Sequence, residues 1–231
     1  MNFLELVQRL VQEAGMPRPG PANVTGSSNQ EWQNAIDWIA DADIEIQLMK
    51  DQWRFMWAEF EFQTVAGQAS YTQAQALANL TAGTEAQFFD EDSGRYFLTA
   101  SGQNGEQYMT YRSWDNFRDI WLFGPNRTAQ GQPQEWSFSP DRKVYLAQVP
   151  NAIYTVRGQV FRQPLRMAAN TDLPRYPARY HMLPVWWALV NYAGLEQDSS
   201  VYQHALNMQG RLIGPMLRTE LPMPQIVGSA V

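Results

Sequence analysis

The chain has 231 residues, 45% hydrophobic and 13% aromatic, long enough to bury a core and too apolar for a disordered chain. Only 17% are charged and the formal net charge is −6, which argues against holding nucleic acid, since that binding rests on Lys and Arg neutralising phosphates. The absence of cysteine removes disulfides, thiolate nucleophiles and every Cys-ligated metal centre.

The opening, Met1-Asn2-Phe3-Leu4-Glu5, has no basic segment ahead of an apolar stretch, so no secretory signal is expected. Phe3, Leu6, Val7, Leu10 and Val11 fall on one face and predict an amphipathic helix, stopped by Gly15, Pro17, Pro19, Gly20 and Pro21. A second helix is expected after Ser28 and Glu31, which have capping-box spacing. From Trp32 through Ala35, Ile39, Ala42, Ile46, Met49, Trp53 and Met56 to Phe60, apolar residues step by three and four. That pattern predicts one long helix of about 30 residues, with Asp37, Asp41, Asp43 and Glu45 on a solvated face.

From Glu61 the pattern turns to alternation. Strands are expected around Phe60–Val65, Tyr96–Thr99, Tyr108–Tyr111, Ile120–Phe123, Glu135–Phe138, Lys143–Ala147 and Ile153–Phe161, separated by Gly, Pro, Asn and Asp clusters. Gln73 to Leu80 reads equally as a short helix or a loop. Helix returns after Asp172-Leu173-Pro174-Arg175-Tyr176-Pro177: one from Ala178 to Ala193, with Pro184 kinking or restarting it and Gly194 ending it, and another from about Ser199 to Arg218. In the latter, Gly210 and Gly214 suit close helix packing. The longest strongly apolar run, Val185 to Val190, is too short to cross a bilayer. Leu221-Pro222-Met223-Pro224-Gln225-Ile226-Val227-Gly228 is too proline-rich for helix and reads as an extended tail apolar enough to want a partner.

The expected fold class is therefore α+β, with N- and C-terminal helices forming a helical bundle and an inserted, mostly antiparallel β-region. The domains run 1–60 and 172–219 for the bundle, 61–171 for the insertion and 220–231 for the tail.

No catalytic, cofactor-binding or metal-binding residue is assigned. His181 and His204 stand in no ligand spacing, and no Walker, Rossmann or nucleophile-elbow pattern is present. Trp114-Asp115-Asn116-Phe117-Arg118-Asp119-Ile120-Trp121 interleaves acids with aromatics as a sugar cleft does, but nothing in it sets a carboxylate separation. Asp90-Glu91-Asp92-Ser93-Gly94 lacks the spaced oxygens of a calcium loop and reads as a solvated turn. Nine tryptophans, ten tyrosines and eleven phenylalanines with few charges favour an obligate oligomer.

Three stretches together resemble the head–tail adaptor proteins of tailed phages, the group that includes tail accessory factors and tail tubular protein A. They are Phe3-Leu4-Glu5-Leu6-Val7-Gln8-Arg9-Leu10 with the helix through Trp53-Arg54-Phe55-Met56; Phe62-Gln63-Thr64-Val65-Ala66-Gly67-Gln68 with Tyr71; and Thr171 to Pro177 leading into Tyr180-His181. The resemblance implies a non-enzymatic virion protein of the neck, made in the host cytoplasm and forming a ring, usually of twelve copies, between the portal and a tail or nozzle protein. DNA would pass through the lumen without specific binding, and no membrane or cofactor is involved. It also implies that Leu221, Pro222, Met223, Pro224, Gln225, Ile226 and Val227 reach the portal. The alternative is a tail or nozzle protein that holds cell-surface glycans on an aromatic β-region.

Overall fold

Asn2 and Glu5 open the first helix with a capping box, each side chain accepting the other residue's backbone N–H at 2.9 Å. In the computed structural model, which describes residues 1–81 and 84–222, four long helices form one unit, from Met1–Met56 and Pro164 onward. They are α1 (Phe3–Glu13), α2 (Gln30–Leu48), α3 (Leu183–Glu196) and α4 (Ser199–Glu220). Helix α3 is buried along most of its length by Val185, Trp186, Ala188, Leu189 and Ala193. Helices α1 and α2 pack on it and on each other, whereas α4 packs principally against α3.

Several boundaries depart from the sequence pattern. Helix α2 is capped by Asn29, whose side chain accepts from the N–H groups of Glu31 and Trp32, not by Ser28. It ends at Leu48, well short of Phe60. The apolar steps continue because the chain folds back on itself: the Trp53 indole donates to the Ile46 carbonyl at 3.2 Å, satisfying an acceptor at the helix end. Met56 is then buried in a 3₁₀ turn, and Phe60 in a strand. Of the two roles open to Pro184, the structure shows the restart: Ala178–Tyr180 is a separate 3₁₀ turn, and α3 starts with Pro184 in its first turn, where its missing N–H costs nothing. Gly194 lies inside α3, which ends at Gln197 in the left-handed region (φ 56°). Asp43 is buried, not solvated.

Trp57–Gln163 forms the second unit. Its strands are β1 (Trp57–Gln63), β2 (Ser70–Tyr71), β3 (Ala86–Phe89), β4 (Arg95–Leu98), β5 (Gln107–Tyr108), β6 (Thr110–Tyr111), β7 (Glu135–Phe138), β8 (Val144–Ala147) and β9 (Tyr154–Arg162). One sheet has the order β1-β9-β4-β5, with β3 also on β9; the other is β2-β8-β7-β6. Pairing is antiparallel except between β6 and β7 and in a two-residue ribbon of Gln130–Gly131 with Val149–Pro150. Gln73–Ala76 is a short helix, capped by Thr72. Of Ile120–Phe123, expected as a strand, all but the extended Phe123 belong to a helical run begun at Trp114–Phe117. Trp114 and Phe117, one helical turn apart, both pack on Tyr145, and Gly124-Pro125 ends the run.

Phe60 and Phe62 point inward from β1, while Glu59, Glu61 and Gln63 face out, the two-residue period of a half-buried strand. The core they enter is aromatic: Phe60 stacks 6.2 Å from Trp136, and Phe89 stacks 4.6 Å from Phe138. Two glycines make room for it. Gly158 sits opposite Phe60, and a Cβ on Gly94 would lie 2.5 Å from the Trp136 ring. Tyr71 braces the Val65–Gln68 turn, its hydroxyl accepting from the Val65 N–H at 3.0 Å and donating to the Gln68 carbonyl at 2.9 Å.

Because Trp136 is fully buried and has no space into which to retreat, Gly94→Ala is expected to destabilise the chain by about 1–3 kcal/mol. Urea unfolding followed by tryptophan fluorescence measures this, and an unchanged midpoint would contradict the packing described.

Candidate functional site

The segment marked for partner binding follows α4 in the chain. Leu221 caps the helix in extended conformation and is half-buried; Pro222 is exposed; Met223, Pro224, Gln225, Ile226 and Val227 lie outside the described residues. The last turn of α4 is fastened from the loop ahead of α3. Arg179 donates to Glu220 Oε1 and to Thr219 Oγ1, each at 3.1 Å, and the Tyr180 hydroxyl shares a 2.9 Å hydrogen bond with Thr219 Oγ1. The Arg179 guanidinium also lies over the Tyr180 ring, 4.7 Å from its centre. A buried acid in a last helical turn is unfavourable both for its desolvation and for its place at the negative end of the helix dipole. Arg179 offsets both effects, so the last turn of α4 is held by a specific ion pair. Glu220 following Arg218-Thr219 was the signal for it, an acid where the helix dipole disfavours one.

The loop between the β-unit and α3 is tied down by the third stretch of the sequence resemblance. The Asp172 carboxylate accepts from the N–H groups of Ala168 and Ala169 at 2.7 and 2.8 Å. Its carbonyl accepts from Phe3 N–H at the start of α1, and Asn170 Oδ1 accepts from Val24 N–H, both at 2.8 Å. Further along, His181 Nε2 is 3.0 Å from the Tyr176 carbonyl and Nδ1 is 2.8 Å from the Met1 amine. Burial, with the neighbouring amine charge, lowers the His181 pKa and keeps the ring neutral.

Beneath this loop lies a buried polar cluster on α2. Gln47 donates to Asp43 Oδ2 at 2.7 Å and to the Leu165 carbonyl at 3.2 Å, and accepts from Leu165 N–H at 3.1 Å. Its amide thus pairs with the backbone of the returning chain as a β-strand neighbour does. Phe55 stacks on Trp53 and meets the edge of Tyr176, closing the cluster with aromatic surface. Asp43 is only 1% exposed. Burial pushes its pKa up to about 6, against the opposing influence of Tyr176, Gln47 and Arg175, and burial beside Asp43 also holds the Tyr176 hydroxyl neutral.

The remaining chemical candidates are engaged structurally. His204 meets the Trp186 ring edge-on. Asp115 and Asp119 both face Arg118 on the surface. Glu135 is held by the Arg112 guanidinium and by the Trp121 indole at 2.8 Å, and Arg112 keeps its carboxyl below the ordinary range. Asp90 to Gly94 is a turn closed by Ser93 Oγ donating to the Asp90 carbonyl. Among the described residues, no group of three or more His, Cys, Asp or Glu side chains is placed to hold a metal ion, and no helix is long and apolar enough to cross a membrane.

A family model described as SU10 adaptor protein matches residues 1–226. No curated protein matches the chain. The chain belongs to the SU10 adaptor protein family, and its resemblance to phage head–tail adaptors holds across nearly its whole length.

Asp43 makes the helical unit pH-sensitive in a definite direction. Between the ordinary aspartate pKa of about 3.9 and about 6, the folded chain keeps a proton that the unfolded chain releases, so this contribution to stability is lost as pH rises through that window. His181, with its lowered pKa, has the opposite slope below about 6.5, and comparison with Asp43→Asn separates the two. The variant is expected to match the unmodified chain near pH 4 and to exceed it by up to roughly 3 kcal/mol at pH 7. Chemical denaturation at both pH values reads the gap; a gap that is the same at both would contradict the burial of an ionisable Asp43.

Proposed function

We propose that this adaptor is a subunit of a closed ring between the portal and the tail of a tailed-phage virion, that the ring continues the DNA channel, and that the segment from Leu221 to Val227 docks on the portal. The observation that carries the reading is the family match over residues 1–226, which includes that segment. The fastened end of α4 supports it. The ion pair of Arg179 with the buried Glu220 gives the departing chain a fixed origin, and a docking strand needs one to reach a partner at low entropic cost. The role is passive, resting on packing and alignment of the channel. A formal net charge of −6 suits a conduit, because an acidic lumen repels the phosphate backbone and lets DNA slide without sticking.

Electron microscopy of the chain mixed with its cognate portal rings tests the proposal. An additional symmetric ring on the tail-facing end of the portal is the expected result. Deletion of 223–231, which leaves Glu220 and its clamp intact, is expected to remove that ring without lowering the melting temperature. Portal rings that stay bare with the full chain at micromolar concentration would overturn the adaptor assignment; full docking by the truncated chain would overturn the role of the segment.

A further inference from the structure

Helix α4 has two faces, and the described residues of its own chain pack principally on one. Val201, Ala205, Met208, Leu212 and Met216 line the side that meets α3 and the core around it. On the opposite side run Gln203, Asn207, Gly210 and Gly214, flanked by Leu206 and Leu217 on one hand and by Arg211 and Arg218 on the other. Leu206 is 37% exposed. Among the described residues, a Cβ built on Gly210 or Gly214 meets no neighbouring atom within 4 Å. The close helix packing that their spacing suits is therefore not made by the described residues of this chain, although each glycine weakens the helix relative to alanine.

A second surface of the helical unit is complementary. Helix α2 also packs on α3, and its outward face carries Asp37 and Asp41 together with Leu48, which is 57% exposed, while the neighbouring Glu45 accepts from the Trp187 indole of α3 at 2.6 Å. Arg166 is shared between Asp37 and Asp41, at 3.1 and 3.0 Å, and neutralises only part of that charge. The outward face of α4 is basic, its one acid, Glu220, being buried against Arg179. One face thus offers arginines, small residues and leucine; the other offers carboxylates and leucine.

We infer that the outward face of α4 docks on the outward face of α2 in a second copy of this chain. The inference rests on the ring reading above and names its contact. Two different complementary faces make a heterologous contact, the kind that repeats head-to-tail and closes into a ring when the rotation between copies permits, whereas a face that meets itself stops at a two-fold dimer. Gly210 and Gly214 let the incoming helix approach closely, the leucines bury apolar area, and Arg211 and Arg218 face the carboxylates of the neighbour, so that assembly weakens as salt rises.

The absence of cysteine from the chain makes the test direct. Gly210→Cys is combined with Asn34→Cys in one variant and with Leu48→Cys in another, which covers either relative direction of the two helices. Rings assembled on portal are treated with a short bis-maleimide. One of the double variants is expected to give a ladder of linked copies, and Gly210→Cys alone is expected to give none. Portal-bound rings that yield no ladder from either double variant would overturn the inference while leaving the ring intact, and dimers from Gly210→Cys alone would show α4 meeting itself and also overturn it. If the unmodified chain forms no ring on portal, the ring reading falls and this contact with it. A second variant guards against a folding artefact. Gly210→Leu, which meets nothing among the described residues of its own chain, is expected to leave the melting temperature of the free chain unchanged or higher while lowering ring occupancy at least about tenfold. Undiminished occupancy would contradict the contact.

Discussion

Helix α3 is the element on which the helical unit depends. From Leu183 to Tyr192 it has no charged side chain, and a helix that is apolar on every side must be covered on every side. Helices α1, α2 and α4 all pack on it. The coverers come from both ends of the chain, so the unit closes only when residues separated by the whole β-unit meet. The pins that close it are short and specific: Phe3 N–H on the Asp172 carbonyl, Val24 N–H on the Asn170 side chain, and the Gln47 amide on the Leu165 backbone. The β-unit lightens this demand. Its first and last strands are antiparallel neighbours, with Trp57 opposite Phe161, so the chain enters and leaves it side by side and the effective loop is short.

Much of this was legible in the sequence. The 3.6-residue period of α1 and the alternation of β1 were plain because in each case one face is buried and the other wet. Glu135–Phe138 was read to the residue, since Pro133 and Ser139-Pro140 bracket it. The misreadings have physical causes. The three- and four-residue steps past Leu48 mark buried positions without marking a helix, because a 3₁₀ turn and a strand carry Met56 and Phe60 into different cores. Ile120–Phe123 is β-prone by composition, yet Trp114 and Phe117 find Tyr145 from a helical turn, and that contact outweighs local preference. Asp43 was taken for surface because it is an aspartate, although it falls four residues after Ile39 and three before Ile46, on the buried side.

The candidate site was legible only in part. The proline-rich run from Leu221 announces a segment that cannot continue α4, but the sequence does not show what holds its origin. The Arg179–Glu220 pair joins positions 41 residues apart, and only the folded helical unit brings them together. Similarly, Gly210 and Gly214 advertise close packing without naming the partner, and among the described residues nothing fills the space beside them.

The most direct measurement of this account is a cryo-electron microscopy map of the neck of the virion that contains this protein. The account predicts a closed ring of copies beneath the portal, with α4 of each seated against α2 of the next and the chain beyond Leu221 running toward the portal. A map in which α4 faces solvent or the DNA channel, with copies joined through other surfaces, would contradict it.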